Sequence, residues 1–114
     1  MKFLLSLLCT SILVLFSGLQ LVFGQNAEVS LEVGEQVFTA NCAACHIGGN
    51  NVIVSDKTLK ITDLEKNSKD SVDAIINQVT NGNGSMPAFG AKLDENEIQS
   101  VANYVLNQAK TDSW

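Results

Sequence analysis

Two cysteines and a histidine lie close together in the segment from Cys42 to His46, which reads CAACH. Two thiols separated by two residues and followed directly by an imidazole form the attachment signature of a covalently bound c-type haem. On one short turn, the thiols can add to the two vinyl groups of a porphyrin, and the imidazole then reaches the iron as an axial ligand. The segment therefore predicts a haem c site with Cys42 and Cys45 as attachment points and His46 as an iron ligand.

The remaining residues limit the choice of a second iron ligand. His46 is the only histidine, and Met86 is the only methionine besides Met1. If the iron is held by one histidine and one methionine, the pair must be His46 and Met86. Such a pair favours the ferrous form and raises the reduction potential relative to two nitrogen ligands. This ligand set indicates an electron carrier, whereas an enzyme or gas sensor would leave the distal position open.

The same residues have other interpretations. A CxxC pair also occurs in thioredoxin-like dithiols, which require a βαβ context, but the surrounding sequence lacks an alternating strand pattern. A structural zinc site requires four Cys or His ligands, more than this segment supplies. Met86 alone could fill a gap in an apolar core or face inward from a surface turn.

The first 24 residues have the pattern of a signal or transit peptide. Lys2 precedes an apolar run from Phe3 to Phe16, and small residues lead to an expected cut at Gln25. We therefore predict a removed leader over residues 1–24 and a haem domain over residues 25–114. An uncleaved membrane anchor is the alternative, because the apolar run approaches the length of a bilayer span. Removal of the leader takes Cys9 with it, and export agrees with haem attachment on the export side of a membrane.

The chain has 114 residues and a net charge of −5. Beyond residue 24 it carries six lysines, no arginine and twelve acidic residues. This composition offers no basic stripe for nucleic acid, and it would favour positively charged docking partners. Because so small a domain has a limited core, a large apolar cofactor would supply part of the interior. We expect the apoprotein to be poorly folded.

Three segments with helical periodicity surround the chemical residues. The first spans about Leu31–Asn41 with Ser30 as N-cap, and it leads into CAACH. The second spans about Lys69–Thr80 with Ser68 as N-cap. The third begins with a capping box of Asp94 and Glu97 and has a predicted buried stripe of Ile98, Val101, Ala102 and Val105. A shorter helix is expected at about Thr62–Lys66.

Met86 lies in the segment from Asn81 to Ala91, which reads NGNGSMPAFGA. Its glycines oppose regular structure and allow the backbone to approach a flat ligand closely. Pro87 restrains Met86 to an extended backbone. The segment is therefore predicted to be a loop that presents the methionine sulfur at a fixed point.

Four motifs in order resemble those of the cytochrome c6 family: CAACH, GGNN at Gly48–Asn51, MPAFG at Met86–Gly90 and VANYVL at Val101–Leu106. The resemblance extends from Gly34 through Trp114. It implies an all-α class I cytochrome c fold of three to four helices around one covalently attached haem c. It also implies thioether bonds at Cys42 and Cys45, His46 as proximal ligand and Met86 as distal ligand.

The resemblance further implies a photosynthetic electron carrier that is not an enzyme. Its expected partners are the cytochrome b6f complex as electron donor and photosystem I as acceptor, in the thylakoid lumen of a cyanobacterium or an algal chloroplast. The carrier is expected to be a monomer and not embedded in the membrane after its leader is removed. The alternative within electron carriers is a periplasmic or lumenal cytochrome c that donates to a respiratory terminal oxidase.

Several further positions follow from the resemblance. Gly34 and Phe38 are expected to let the first helix cross the last one near Val101 and Tyr104. Gln78 corresponds to a glutamine near the haem that tunes its potential, although it could equally be an ordinary polar residue at a helix end.

Three positions depart from the family pattern. Lys92 stands where an arginine is usual near the partner-facing haem edge, Ile47 replaces a small residue, and Asn83 replaces a lysine. None belongs to the expected ligand set, but the loss of a lysine at Asn83 would weaken charge steering toward a partner.

Overall fold

The computed structural model describes residues 28–114, and these residues fold into a small helical domain. Its five α-helices are α1 (Leu31–Asn41), α2 (Ala43–His46), α3 (Ile61–Lys66), α4 (Val72–Asn81) and α5 (Glu95–Thr111), with a 3-10 turn at Ile47–Gly49. Within this range there is no β-strand, only an isolated bridge between Asn83 and Met86. The predicted all-α class is confirmed. The expected leader over residues 1–24, with Cys9, lies outside the described residues.

Helices α1 and α5 cross at a glycine, as the resemblance led us to expect. A Cβ atom on Gly34 would lie 2.6 Å from the Cβ of Tyr104 and even closer to the backbone oxygen of Ser100. At the same crossing, the buried Ser100 hydroxyl accepts a hydrogen bond from the backbone N–H of Ser30 at 3.1 Å. Only a residue without a side chain permits this close backbone approach. The crossing fixes the direction in which α1 delivers the chain to CAACH.

The apolar faces of the three long helices form one core. All four residues of the stripe predicted on α5 are buried, and they pack with Val37 and Phe38 of α1 and with Ile75 and Val79 of α4. Phe89 joins this cluster from the loop that carries Met86. The site residues are therefore attached to a common packed framework.

Helix α1 begins and ends as predicted, but the predicted start of the next long helix was wrong. Helix α4 starts at Val72, and its N-cap is Ser71, whose hydroxyl accepts from the N–H of Ala74. Ser68 instead lies in the left-handed region with φ 57°. Its N–H donates to Glu65 O and that of Lys69 donates to Leu64 O, the pattern of a Schellman motif that ends α3.

Helix α5 begins with the predicted capping box. The Asp94 carboxylate accepts from the N–H of Glu97 at 2.8 Å, and the Glu97 carboxylate accepts from the N–H of Asp94 at 3.1 Å. These two bonds satisfy two backbone donors that the start of a helix leaves unpaired. No helix of the described residues is long and apolar enough to cross a membrane.

Candidate haem-binding site

Both cysteines and the histidine of CAACH lie on one tight turn. Cys42 ends α1, where its N–H donates to Phe38 O at 2.8 Å. The N–H groups of Cys45 and His46 then both donate to Cys42 O, at 3.2 and 3.0 Å. The sequence did not predict this short helix, because four residues are too few to show a period. Its geometry holds two thiols and one imidazole on a single rigid turn.

The two thiols are free and half-buried, so neither is committed to a disulfide. Burial raises the pKa of the Cys42 thiol to about 11. The unmodified thiol is therefore fully protonated at neutral pH. Two uncommitted thiols on one turn fit thioether attachment of one porphyrin, which requires both to be available together.

One ring nitrogen of His46 takes part in a hydrogen bond. Its Nδ1 lies 2.9 Å from the backbone oxygen of Asn50. Because a carbonyl oxygen can only accept a hydrogen bond, Nδ1 must carry the proton, and Nε2 then has a free lone pair. In metal sites generally, a bond of this kind fixes the tautomer and the ring orientation of the ligating histidine. Sequence reasoning missed Asn50, because a backbone acceptor leaves no signature in residue type.

The loop after the histidine is held by a second asparagine. The Asn51 side-chain oxygen accepts from the N–H groups of Ile53 and Val54 at 3.0 and 2.8 Å, and its amide donates to Lys57 O at 3.0 Å. Asparagine commonly organises turns in this way. The loop is also tied to the cysteine turn, since Val52 N–H donates to Cys45 O at 3.0 Å. The GGNN motif thus supports the histidine rather than adding a ligand.

Met86 lies in the predicted loop and is half-buried. The N–H of Asn83 donates to Met86 O and that of Met86 donates to Asn83 O, each at 3.0 Å. This closed turn places Gly84 at φ 57°, a conformation that favours glycine. Further along, Phe89 N–H donates to Val79 O at 2.9 Å. The methionine backbone is therefore anchored on both sides.

The glycines of this loop mainly allow the loop itself to fold. A Cβ atom on Gly82 would lie 2.7 Å from the backbone of Pro87 and Ala88, so the loop closes tightly over that position. Apart from its chain neighbours, no residue of the described part of the chain comes within 4 Å of the corresponding point at Gly84. Glycine is favoured by its backbone angle at both positions, with φ 65° at Gly82 and 57° at Gly84, and only Gly82 is required in addition for loop closure.

Gln78 of α4 reaches the methionine side chain. Its Nε2 lies 3.5 Å from the Met86 sulfur. The amide therefore directs the positive end of a dipole toward the atom that sequence analysis selects as the distal ligand. Of the two interpretations of Gln78, the structure favours the one that places it beside the site. Lys92, at the family's basic position, lies over the Phe89 ring with its Nζ 5.7 Å from the centroid.

Comparisons with known proteins show which family this chain is similar to. A family model described as cytochrome c oxidase, cbb3-type, subunit III, matches residues 29–105. Cytochrome c6 of Bumilleriopsis filiformis is 59% identical over 80 residues, which cover 70% of this chain and 93% of that protein. Cytochrome c6 of Porphyra purpurea is 52% identical over 111 residues, 96% of this chain and 97% of that one.

A solved structure has the same fold. Cytochrome c6 from the diatom Phaeodactylum tricornutum superposes with a TM-score of 0.70 at 48% sequence identity, over 72% of this chain and 97% of that one. Haem c is the cofactor expected of such a protein, and the free thiols of Cys42 and Cys45 are suited to it. The chain is an electron carrier and belongs to the cytochrome c6 family.

Proposed function

We propose that the protein carries single electrons from the cytochrome b6f complex to photosystem I in the thylakoid lumen, as a monomer. Haem c is attached through Cys42 and Cys45, and its iron is ligated by His46 and Met86. The observation that carries the proposal is a pair of contacts, one between Nδ1 of His46 and Asn50 O and the other between Nε2 of Gln78 and the Met86 sulfur. The first contact leaves Nε2 of the histidine free, and the second places an N–H group beside a soft thioether donor.

When bound, the haem supplies a centre that gains and loses one electron without forming a bond to a substrate. The residues of the chain keep this centre in place. His46 cannot rotate freely while its Nδ1–H is bonded to Asn50 O, and Met86 cannot withdraw while its backbone is paired with Asn83. Ligands fixed in this way need little rearrangement when the charge on the iron changes.

Partner contact is proposed at the surface formed by Pro87 and Ala88, next to the proposed ligand Met86. Both residues are exposed. Small, partly apolar contacts are typical of transient redox complexes, which must dissociate after each transfer. Charge acts at longer range, and the excess of acidic residues favours partners with positively charged docking sites.

Flash spectroscopy tests this function directly. The reduced protein is mixed with photosystem I particles, and re-reduction of the oxidised primary donor is followed after a flash, with a Met86→Ala variant as control. We expect re-reduction to accelerate with the concentration of the reduced wild-type protein, and the oxidised protein to be reduced in turn when cytochrome b6f complex and a quinol are added. A protein that reduces a terminal oxidase but not photosystem I would contradict the proposal.

We also propose that the functional protein is the haem domain over residues 25–114, with residues 1–24 removed. The intact mass of the protein purified from its host tests this boundary. A mass equal to residues 25–114 plus one haem, within three residues at the start, is expected. A mass that includes residues 1–24 would support the anchor interpretation instead.

A further inference from the structure

Trp114 lies three residues beyond α5 and turns back onto the domain. Asp112 is in the left-handed conformation with φ 48°, and Ser113 N–H donates to Gln108 O at 3.0 Å. The side-chain amide of Gln108 donates in turn to Ser113 O at 2.8 Å. This turn directs the indole inward, where its centroid lies 5.4 Å from that of Phe38 and 6.2 Å from that of Tyr104.

The indole also contacts the loop that follows the histidine. A Cβ atom on Gly49 would lie 2.6 Å from both Cδ1 and Cδ2 of Trp114. Gly49 is buried and has φ 75°, so both its backbone angle and its contact with the ring favour glycine. The ring therefore packs directly on the backbone of the residue before Asn50.

A series of hydrogen bonds extends this contact to His46. The indole N–H of Trp114 donates to Leu59 O at 3.2 Å. The N–H of Leu59 donates to Gly49 O at 2.7 Å. Gly49 is bonded covalently to Asn50, whose carbonyl oxygen is the acceptor for Nδ1 of His46 at 2.9 Å. Both ends of the loop are thus held by one aromatic side chain.

The geometry points to Trp114 as a positioning residue for the proximal ligand. By holding Gly49 and Leu59, it sets where the Asn50 carbonyl lies and so fixes the orientation and basicity of the His46 imidazole. Hydrogen-bonded partners of a ligating histidine influence the metal in this way. The inference rests on the proposed function, because it takes His46 as an iron ligand. It goes beyond that function by assigning a role in setting the potential to a residue outside the haem-binding motifs.

Three variants of the haem-loaded protein test this inference. Trp114→Ala removes the ring, and Trp114→Phe keeps an aromatic ring but removes the indole N–H. Asp94→Ala is the matched control, since it removes the capping box at the other end of α5 without touching residues 47–59. The measurements are the hyperfine-shifted haem methyl resonances of the oxidised protein, the reduction potential, and amide hydrogen exchange at Leu59 and Asn50. The methyl resonances report the orientation of the axial imidazole.

We expect Trp114→Ala to change the methyl shift pattern and the reduction potential, and Trp114→Phe to change both in the same direction by less. The Leu59 amide should exchange about fivefold faster in Trp114→Phe, as for the loss of one typical hydrogen bond. Asp94→Ala should retain the wild-type methyl pattern and potential. If Trp114→Ala does not yield folded protein, the Trp114→Phe result decides.

Wild-type methyl shifts and potential in the tryptophan variants would overturn the inference. An equal change of shifts and potential in Asp94→Ala would also overturn it, because the effect would then result from a general loss of stability. Failure of the proposed function is recognised separately. In that case, the unsubstituted protein itself would lack a methionine sulfur on its iron.

Discussion

At the scale of single residues, the two proposed iron ligands are held by different kinds of local structure. His46 lies on a helical turn that is continuous with both cysteines, and its ring is fixed by Asn50. Met86 lies on a loop and is fixed through its backbone pairing with Asn83. Loss of the methionine should therefore leave haem attachment intact, because attachment depends only on the cysteine turn.

The amide of Gln78 should raise the reduction potential. Its N–H points at the Met86 sulfur, so the positive end of the dipole disfavours the additional charge of ferric iron. We expect Gln78→Val to lower the potential by about 40 mV, the equivalent of one hydrogen bond of about 1 kcal/mol for a one-electron couple. Potentiometric titration measures this shift. Gln36→Val, at an exposed position of α1, is the control, and an equal shift there would show that the effect is not local.

The candidate haem-binding residues can be proposed from sequence, whereas most of the contacts that support them could not be predicted. CAACH indicates haem attachment because the chemistry requires that spacing, and Met86 is proposed as a ligand because other ligands are scarce. The acceptor for His46 is a backbone carbonyl, and any residue type provides one. The contact between Trp114 and Gly49 joins distant parts of the sequence, so only the folded chain reveals it.

At the scale of elements, the sequence located a helix end well where its capping residues were unambiguous. The capping box of α5 is a reciprocal pattern of two residues, and the structure contains it. The start of α4 was mispredicted because Ser68 and Ser71 are equally good N-cap residues by type. What separates them is the Schellman turn that ends α3 at Ser68, and that turn depends on backbone angles rather than on composition.

The crossing of α1 and α5 should not tolerate a side chain at position 34. Gly34→Ala would gain helix propensity, but its Cβ would collide with the backbone of Ser100 and with Tyr104. Because backbone atoms cannot rotate away, we expect a net loss of about 1–3 kcal/mol in the free energy of unfolding. Chemical denaturation of the haem-loaded protein measures it. Gln36→Ala, exposed on the same helix, should change stability by less than about 0.5 kcal/mol. Equal stability of Gly34→Ala and wild type would refute the close approach.

Tyr104 at the same crossing should make stability depend on alkaline pH. Burial raises the pKa of its hydroxyl, and the negative charge of Glu35 raises it further. The unfolded chain then loses this proton at a lower pH than the folded protein does. The contribution of Tyr104 is therefore complete below about pH 10 and falls as the pH rises through the folded pKa. The difference in unfolding free energy between wild type and Tyr104→Phe, measured across this range, should decrease with rising pH. A constant difference would contradict the shifted pKa.

At the scale of the whole molecule, the protein leaves large apolar side chains at its surface beside the cysteine turn. Ile47, Val52 and Ile53 are 65%, 62% and 57% exposed. These residues follow CAACH closely, and exposed apolar area of this kind usually marks a surface that a ligand or partner covers. We therefore expect this small domain to gain part of its stability from the group that it binds.

We accordingly expect the apoprotein to lose helical structure. Far-UV circular dichroism of a Cys42→Ala, Cys45→Ala double variant, which cannot attach haem, should show much less helix than the haem-loaded protein at the same temperature. The haem-loaded Gln36→Ala variant controls for the effect of an alanine substitution on the helical signal. A native helical spectrum in the double variant would show that the protein core is sufficient by itself.

The long-wavelength absorption spectrum of the oxidised protein tests the central claim most directly, because a methionine sulfur on ferric haem iron gives a weak sulfur-to-iron charge-transfer band. We predict this band in the wild-type protein and its loss in Met86→Ala, with a lower reduction potential and with haem still covalently attached. Absence of the band from the wild type, or its survival in Met86→Ala, would contradict the assignment of His46 and Met86 as the two axial ligands.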